Sequence, residues 1–78
     1  MQVTLYTSAF CPFCIRAKAL LDERGVAYEE HVMDAEPEEL QRVKLEHDHS
    51  TVPIILIDGT LIGGYDELRA LESAGGLG

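Results

Sequence analysis

The chain opens with a stretch in which apolar and polar residues alternate. Residues 3–7 read Val-Thr-Leu-Tyr-Thr, the period-two pattern of a β-strand with two different faces. A helical pattern follows, because Ala17 and Leu21 stand one turn apart on an apolar face. Pro12 suits the first position of this helix, where no backbone N–H is needed, and Gly25 is placed to end it.

The middle of the chain predicts a second strand and a second helix. Residues 26–33 carry β-forming side chains in imperfect alternation, which indicates a strand. Asp34 and Pro37 mark the start of a new helix. One face of this strongly polar helix carries Leu40, Val43 and His47.

A hairpin follows a polar loop. Residues 54–57 read Ile-Ile-Leu-Ile, a continuous apolar run typical of a strand that is buried on both faces. Asp58 and Gly59 form the strongest short-range turn signal in the chain, and residues 60–62 are the returning strand.

The last segment predicts a short helix. Gly63 and Gly64 interrupt the returning strand, and Asp66 is expected to cap the helix. Leu68 and Leu71 lie one turn apart on its apolar face. The helix is expected to end at Gly75 and Gly76. The tail, Leu77 and Gly78, is expected to fray.

The predicted order of elements is therefore β-α-β-α-β-β-α. The first β-α-β unit places its two strands parallel, and the final hairpin adds an antiparallel edge. This predicts an α/β fold with a four-stranded mixed sheet and helices on both faces. With 78 residues, the chain is expected to form a single domain over residues 1–78.

Composition and charge exclude several classes of function. The 6 basic residues face 14 acidic ones, giving a formal net charge of -8, which disfavours binding to nucleic acid or to anionic lipid. No apolar run in the sequence approaches the roughly 20 residues that a membrane-spanning helix needs. The first residues lack the pattern of a signal peptide, so a cytoplasmic protein is expected.

The candidate catalytic residues are Cys11 and Cys14, the only two cysteines. They lie between a strand and a helix, so Cys11 is expected at the helix N-terminus. Unpaired N–H groups and the helix dipole there stabilise a thiolate, which is the nucleophile of disulfide exchange. Cys14 lies one turn deeper and can close a disulfide with Cys11.

Two other interpretations of this pair remain open at this point. Both cysteines could bind zinc together with His47 and His49, although the spacing matches no common zinc module. They could also be two buried core residues, because cysteine is often buried. Redox chemistry fits the strand-to-helix position best.

The sequence resembles the glutaredoxins of the short, dithiol bacterial kind. The resemblance covers essentially the whole chain and rests on four segments in the right order. They are Leu5-Tyr6-Thr7 before Cys11-Pro12-Phe13-Cys14, then Arg16-Ala17-Lys18-Ala19-Leu20-Leu21, Thr51-Val52-Pro53, and Gly63-Gly64-Tyr65-Asp66-Glu67-Leu68. Each segment alone is weak, but four in this order are specific.

The resemblance implies a thioredoxin fold and a thiol–disulfide oxidoreductase with glutathione as co-substrate and no metal. Cys11 would be the nucleophile, Cys14 the resolving thiol, and Pro53 a cis-proline. The implied contacts with glutathione are Cys11, Phe13, Thr51, Val52, Pro53, Gly64, Tyr65 and Asp66. Implied partners are disulfide-containing or glutathionylated proteins, and a monomer is expected.

The sequence departs from the family pattern at two positions. Ser8 and His49 stand where many members of the family carry basic residues. We hypothesise that His49, or Lys44 from the preceding helix, partly replaces the missing charge. Because histidine loses its charge between about pH 6 and 8, affinity for glutathione would then fall as the pH rises.

Two alternative functions remain open. One, which the missing basic residues favour, is a glutaredoxin-like redoxin that is reduced by thioredoxin reductase. The other is a dimer that binds an iron–sulfur cluster through Cys11 and glutathione, which Pro12 disfavours.

Overall fold

Four strands and three helices follow one another in the predicted order. They are seen in a computed structural model, which describes residues 1–77. The strands are β1 (Val3–Thr7), β2 (Tyr28–Val32), β3 (Ile54–Ile57) and β4 (Thr60–Gly63). The helices are α1 (Pro12–Glu23), α2 (Pro37–Glu46) and α3 (Tyr65–Ser73).

The strands form one mixed sheet in the order β2-β1-β3-β4. β1 pairs with β2 in parallel, whereas the pairs β1–β3 and β3–β4 are antiparallel. The predicted four-stranded mixed sheet is thus confirmed. Because β1 and β2 run in the same direction, the segments that follow them emerge at the same edge of the sheet.

Two apolar clusters lie on opposite faces of the sheet. On one face, Leu5 and Ile55 pack with Leu21 of α1 and Leu68 of α3, all of them fully buried. On the other face, the buried residues are Val43 of α2 with Ile54 and Leu56 of β3. The run of apolar residues in β3 serves both clusters, which confirms the predicted burial on both faces and the placement of helices on both sides.

Several predicted boundaries need correction. The second strand is shorter than the predicted residues 26–33, because the N–H of Val26 donates to the carbonyl of Leu21 at 2.9 Å and still belongs to the end of α1. Gly25 has the left-handed conformation (φ 68°) expected after a helix. At the hairpin, Asp58 and Gly59 both have positive φ, as the predicted tight turn requires.

Neither predicted aspartate starts a helix. Helix α2 has Glu36 as its N-cap and Asp34 lies outside the helix, while Gly64 rather than Asp66 caps α3. His47 is the C-cap of α2 and follows its last residue, Glu46.

The tail also differs from the expectation. Leu77 is 7% exposed and packs into the cluster on the α1 and α3 face, so it is not frayed; Gly78 lies outside the described residues. Helix α3 ends near Gly75 (φ 80°), as predicted. No helix within residues 1–77 has the length and apolar character needed to cross a bilayer.

Candidate active site

The two cysteines lie at the junction between β1 and α1. Cys11 is the N-cap of α1, with extended backbone angles (φ -124°, ψ 103°), and Pro12 follows in the first turn. The backbone N–H of Cys14 donates to the Sγ of Cys11 at 3.1 Å. This is the arrangement in which backbone donors and the helix dipole favour a thiolate.

Cys11 and Cys14 are joined by a disulfide, with their Cα atoms 5.1 Å apart. Cys11 is 7% exposed and Cys14 is 1% exposed. An incoming thiol or disulfide can therefore reach the sulfur of Cys11 first. Cys14 is the more deeply buried of the two, as the sequence predicted.

The loop before β3 faces the disulfide. The peptide bond between Val52 and Pro53 is cis, which confirms the expectation for this proline. The carbonyl oxygen of Val52 lies 3.8 Å from the Sγ of Cys11. Cys11 has no thiol proton in the disulfide, so this is a contact between backbone and sulfur rather than a hydrogen bond.

A groove with a volume of about 350 Å³ opens beside this contact. Its lining residues are Phe13, His49, Thr51, Val52, Pro53, Gly64, Tyr65, Asp66 and Glu67. The structure thus gathers every predicted ligand contact into one groove except Cys11, which adjoins it through Val52. The residues come from α1, the loop before β3 and the start of α3.

Aromatic side chains form one wall of the groove. The ring of Phe13 lies 6.2 Å from the ring of Tyr65, measured between centroids. The guanidinium carbon of Arg16 stands 5.3 Å from the centre of the Phe13 ring, within the range of a cation–π contact. Phe13 is 50% exposed, so this wall presents apolar surface to a bound molecule.

Glu67 is a groove residue that the sequence reasoning missed. Its Oε1 accepts a hydrogen bond from the backbone N–H of Gly64 at 2.8 Å, one half of a capping box at the start of α3. A glutamate three residues after the N-cap is the sequence signal of a capping box, and Glu67 stands three residues after Gly64. The signal was missed because Asp66 was predicted as the N-cap.

The groove carries acidic groups and one histidine. Asp66 and Glu67 line it, and the Nε2 of His49 lies 3.4 Å from the Oγ1 of Thr51. Lys44 lies in a neighbouring depression that also includes His49. Among the residues that the structure describes, no lysine or arginine lines the groove itself.

A second missed residue, Asp34, contacts the loop that precedes Cys11. Its Oδ1 accepts a hydrogen bond from the hydroxyl of Ser8 at 2.7 Å, and its Oδ2 accepts one from the N–H of Ala9 at 2.9 Å. The bond from Ser8, and then that from Ala9, lower the pKa of Asp34. The sequence indicated this contact only indirectly, through the predicted parallel pairing of the first two strands, which brings the ends of β1 and β2 together.

Beneath the site, a polar network connects α1 to the sheet. The hydroxyl of Thr7, which is 1% exposed, donates to the Oε2 of Glu30 at 2.7 Å. The Nζ of Lys18 lies 3.0 Å from the same oxygen. The hydrogen bond from Thr7, followed by Lys18, lowers the pKa of Glu30.

The zinc interpretation requires four side chains to converge. His49 lies in the groove and His47 caps α2, while the two cysteines are bonded to each other. Over residues 1–77 the structure holds no group of three or more histidine, cysteine, aspartate or glutamate side chains that is arranged to hold a metal ion.

Comparison with known proteins agrees with this site. The family model described as glutaredoxin matches residues 3–62. A glutaredoxin from Pseudomonas aeruginosa is 47% identical over 75 residues, covering 96% of this chain and 89% of the relative. Glutaredoxin 3 from Escherichia coli is 43% identical over 76 residues, covering 97% of this chain and 92% of the relative.

Solved structures agree as well. The solution structure of glutaredoxin from Brucella melitensis has a TM-score of 0.85 and 39% identity, covering 99% of this chain and 84% of that one. The crystal structure of a buckwheat glutaredoxin–glutathione complex has a TM-score of 0.88 and 28% identity, covering 96% of this chain and 71% of that one. The fold is therefore the thioredoxin fold. With its cysteine pair at the start of α1, the chain belongs to the glutaredoxin family of thiol–disulfide oxidoreductases.

Proposed function

We propose that this chain is a glutathione-dependent oxidoreductase that reduces protein disulfides and glutathione mixed disulfides, with Cys11 as its nucleophile. The observation that carries the proposal is the groove beside Cys11, which gathers the ligand contacts implied by the sequence. The buckwheat relative, whose structure is described as a glutathione complex, supports the choice of ligand.

Glutathione would lie in the groove as an extended peptide. The backbone of Val52, next to the sulfur of Cys11, pairs with the cysteinyl unit in the manner of an added strand. The first turn of α3, with Asp66, receives the γ-glutamyl end, which carries both an ammonium and a carboxylate group. Phe13 and Tyr65 cover the apolar part of the peptide.

The reductive half of the cycle begins from the disulfide. A glutathione thiolate attacks the sulfur of Cys11, the bond to Cys14 breaks, and the Cys14 sulfur takes the electron pair and then a proton. A second glutathione thiolate attacks the glutathione sulfur of this mixed disulfide. Glutathione disulfide leaves, and Cys11 is released as a thiolate.

The oxidative half uses that thiolate. Cys11 attacks a substrate disulfide and forms a mixed disulfide, and one substrate sulfur leaves as a thiolate. Cys14 then attacks the Cys11 sulfur, which frees the second substrate thiol and restores the disulfide of the protein. When the substrate is a glutathione mixed disulfide, Cys11 takes up the glutathione, and a second glutathione thiolate attacks that glutathione sulfur. Glutathione disulfide then leaves and Cys11 returns as a thiolate without the involvement of Cys14.

A second candidate function rests on the charge of the groove. The two carboxylates of glutathione favour cationic partners, yet the groove is lined by Asp66, Glu67 and a single histidine, His49. This observation favours a redoxin that receives electrons from thioredoxin reductase. The two candidates share the chemistry of Cys11 and differ only in the reductant.

The test is an NADPH-consumption assay with a small glutathione mixed disulfide. One arm contains glutathione and glutathione reductase, and the other contains thioredoxin reductase. Cys11→Ser and Cys14→Ser are assayed beside the wild type. Sedimentation of each protein tests whether it is the expected monomer.

We expect turnover only in the glutathione arm, abolished in Cys11→Ser and largely kept in Cys14→Ser. Turnover only with thioredoxin reductase would replace the proposed function with the second candidate. Activity in neither arm would contradict both, and visible absorbance of the purified protein would then point to the iron–sulfur alternative.

A further inference from the structure

We propose that Asp34 is a positioning residue for the nucleophile, because its carboxylate holds the loop that carries Cys11. The hydroxyl of Ser8 and the N–H of Ala9 each donate to a different oxygen of this carboxylate, at 2.7 and 2.9 Å. Charge-assisted hydrogen bonds of this kind are shorter and stronger than neutral ones. The inference rests on the proposed role of Cys11.

The sheet places Asp34 where it can act. β1 and β2 are parallel, and the N–H of Met33 extends their pairing by donating to the carbonyl of Thr7 at 2.9 Å. The next residues of the two segments, Ser8 and Asp34, therefore lie side by side. Asp34 is thus attached to the sheet and provides a fixed point for the loop.

Packing does little to hold this loop in place. Phe10, which directly precedes the nucleophile, is 98% exposed, and Ala9 is exposed as well. With so little apolar surface buried, the two hydrogen bonds to Asp34 are the contacts that define the path of the loop. They fix where the chain enters α1 and hence where the Cys11 sulfur lies relative to the N–H of Cys14.

Loosening the loop should make Cys11 react more slowly. A sulfur that is less firmly held at the helix N-terminus receives less stabilisation of its thiolate. The reaction of the reduced protein with iodoacetamide measures this directly, because Cys14 is 1% exposed and alkylation reports on Cys11. The reaction requires no glutathione.

Three variants separate position from charge. Asp34→Ala removes both hydrogen bonds and the negative charge, whereas Ser8→Ala removes one bond and keeps the charge. Asp58→Asn is the matched control, because Asp58 also accepts a backbone hydrogen bond, from the N–H of Gln2 at 2.8 Å, but lies in the β3–β4 turn.

We expect Asp34→Ala to slow alkylation roughly threefold to tenfold and Ser8→Ala to slow it about twofold. Asp58→Asn should match the wild type. Hydrogen exchange at the Ala9 amide should accelerate in Asp34→Ala and remain unchanged in Asp58→Asn. Binding of S-methylglutathione, which occupies the groove without reacting, should keep its wild-type Kd in all three.

Two results would overturn the proposal. One is alkylation of Asp34→Ala at or above the wild-type rate, which would mean that the carboxylate acts only by repelling the thiolate. The other is a joint loss of alkylation, S-methylglutathione binding and thermal stability, which would indicate a general folding defect. Slower alkylation in both variants, together with a wild type that does not use glutathione, would support this proposal while refuting the proposed function.

Discussion

Replacement of Glu30 should destabilise the protein because it removes the acceptor of a buried hydroxyl. Thr7 is 1% exposed and donates to Glu30 at 2.7 Å. A buried donor without a partner costs about 1–3 kcal/mol, and the partly exposed ion pair with Lys18 adds at most about 1 kcal/mol. We therefore expect Glu30→Ala to lower the free energy of unfolding by about 2 kcal/mol and Glu30→Gln by about 1 kcal/mol.

A double-mutant cycle tests the cause of this loss. Thr7→Val removes the hydroxyl that needs an acceptor, so Glu30→Ala should cost less in the Thr7→Val background than in the wild type. We expect a coupling energy of about 1 kcal/mol. Urea unfolding followed by far-UV circular dichroism is suitable, because the chain has no tryptophan.

The pH dependence provides a second check on the same group. Its bond from Thr7, and then Lys18, hold the folded pKa of Glu30 below the ordinary value of 4.5. The stabilisation from the ionised carboxylate is thus fully present above about pH 4.5 and is lost as the pH falls through the folded pKa. The free energy of unfolding of the wild type should therefore approach that of Glu30→Gln as the pH falls below about 4.5. The reasoning would be refuted if Thr7→Val and Glu30→Ala had additive effects on the free energy of unfolding. It would also be refuted if the wild type remained more stable than Glu30→Gln by the same amount down to pH 3.

Three further predictions concern the core and the groove. Leu21→Ala, at a site that is 0% exposed, should lower the free energy of unfolding in urea by about 2–5 kcal/mol. Gly64→Ala places a methyl group inside the groove, 3.6 Å from the carbonyl oxygen of Pro53. KM for glutathione should therefore rise several-fold with little change in Tm, and an unchanged KM would contradict this. His49→Ala should raise KM for glutathione more than His47→Ala does, because His49 lines the groove and His47 caps α2 outside it. Equal KM values in the two variants would exclude a role for His49.

The helix starts show where reasoning from sequence was incomplete. Asp34 and Asp66 were both predicted as helix starts, because aspartate before an apolar periodic segment is a typical N-cap. The carboxylate of Asp34 instead accepts hydrogen bonds from a loop 25 and 26 residues away along the chain. Local preference cannot reveal this competition, because the donors come from a different element of the fold.

Burial at the end of the chain was missed for a similar reason. Leu77 follows two glycines, a local pattern that predicts a frayed tail, yet it packs into the cluster that contains Leu21 and Leu68. Its burial depends on where α1 and α3 meet, and the spacing of residues along one chain does not contain that information.

The sequence by itself determined the order of the elements, the direction of the strands and the position of Cys11 at the start of a helix. These features follow from local periodicity, turn residues and the handedness of a β-α-β unit, all of which operate over short distances along the chain. Only the tertiary structure decided that Val52 lies against the sulfur of Cys11, that Glu67 and His49 share the groove, and that Asp34 contacts the nucleophile loop. Those contacts join residues from separate elements, and the packing of helices on the sheet brings them together.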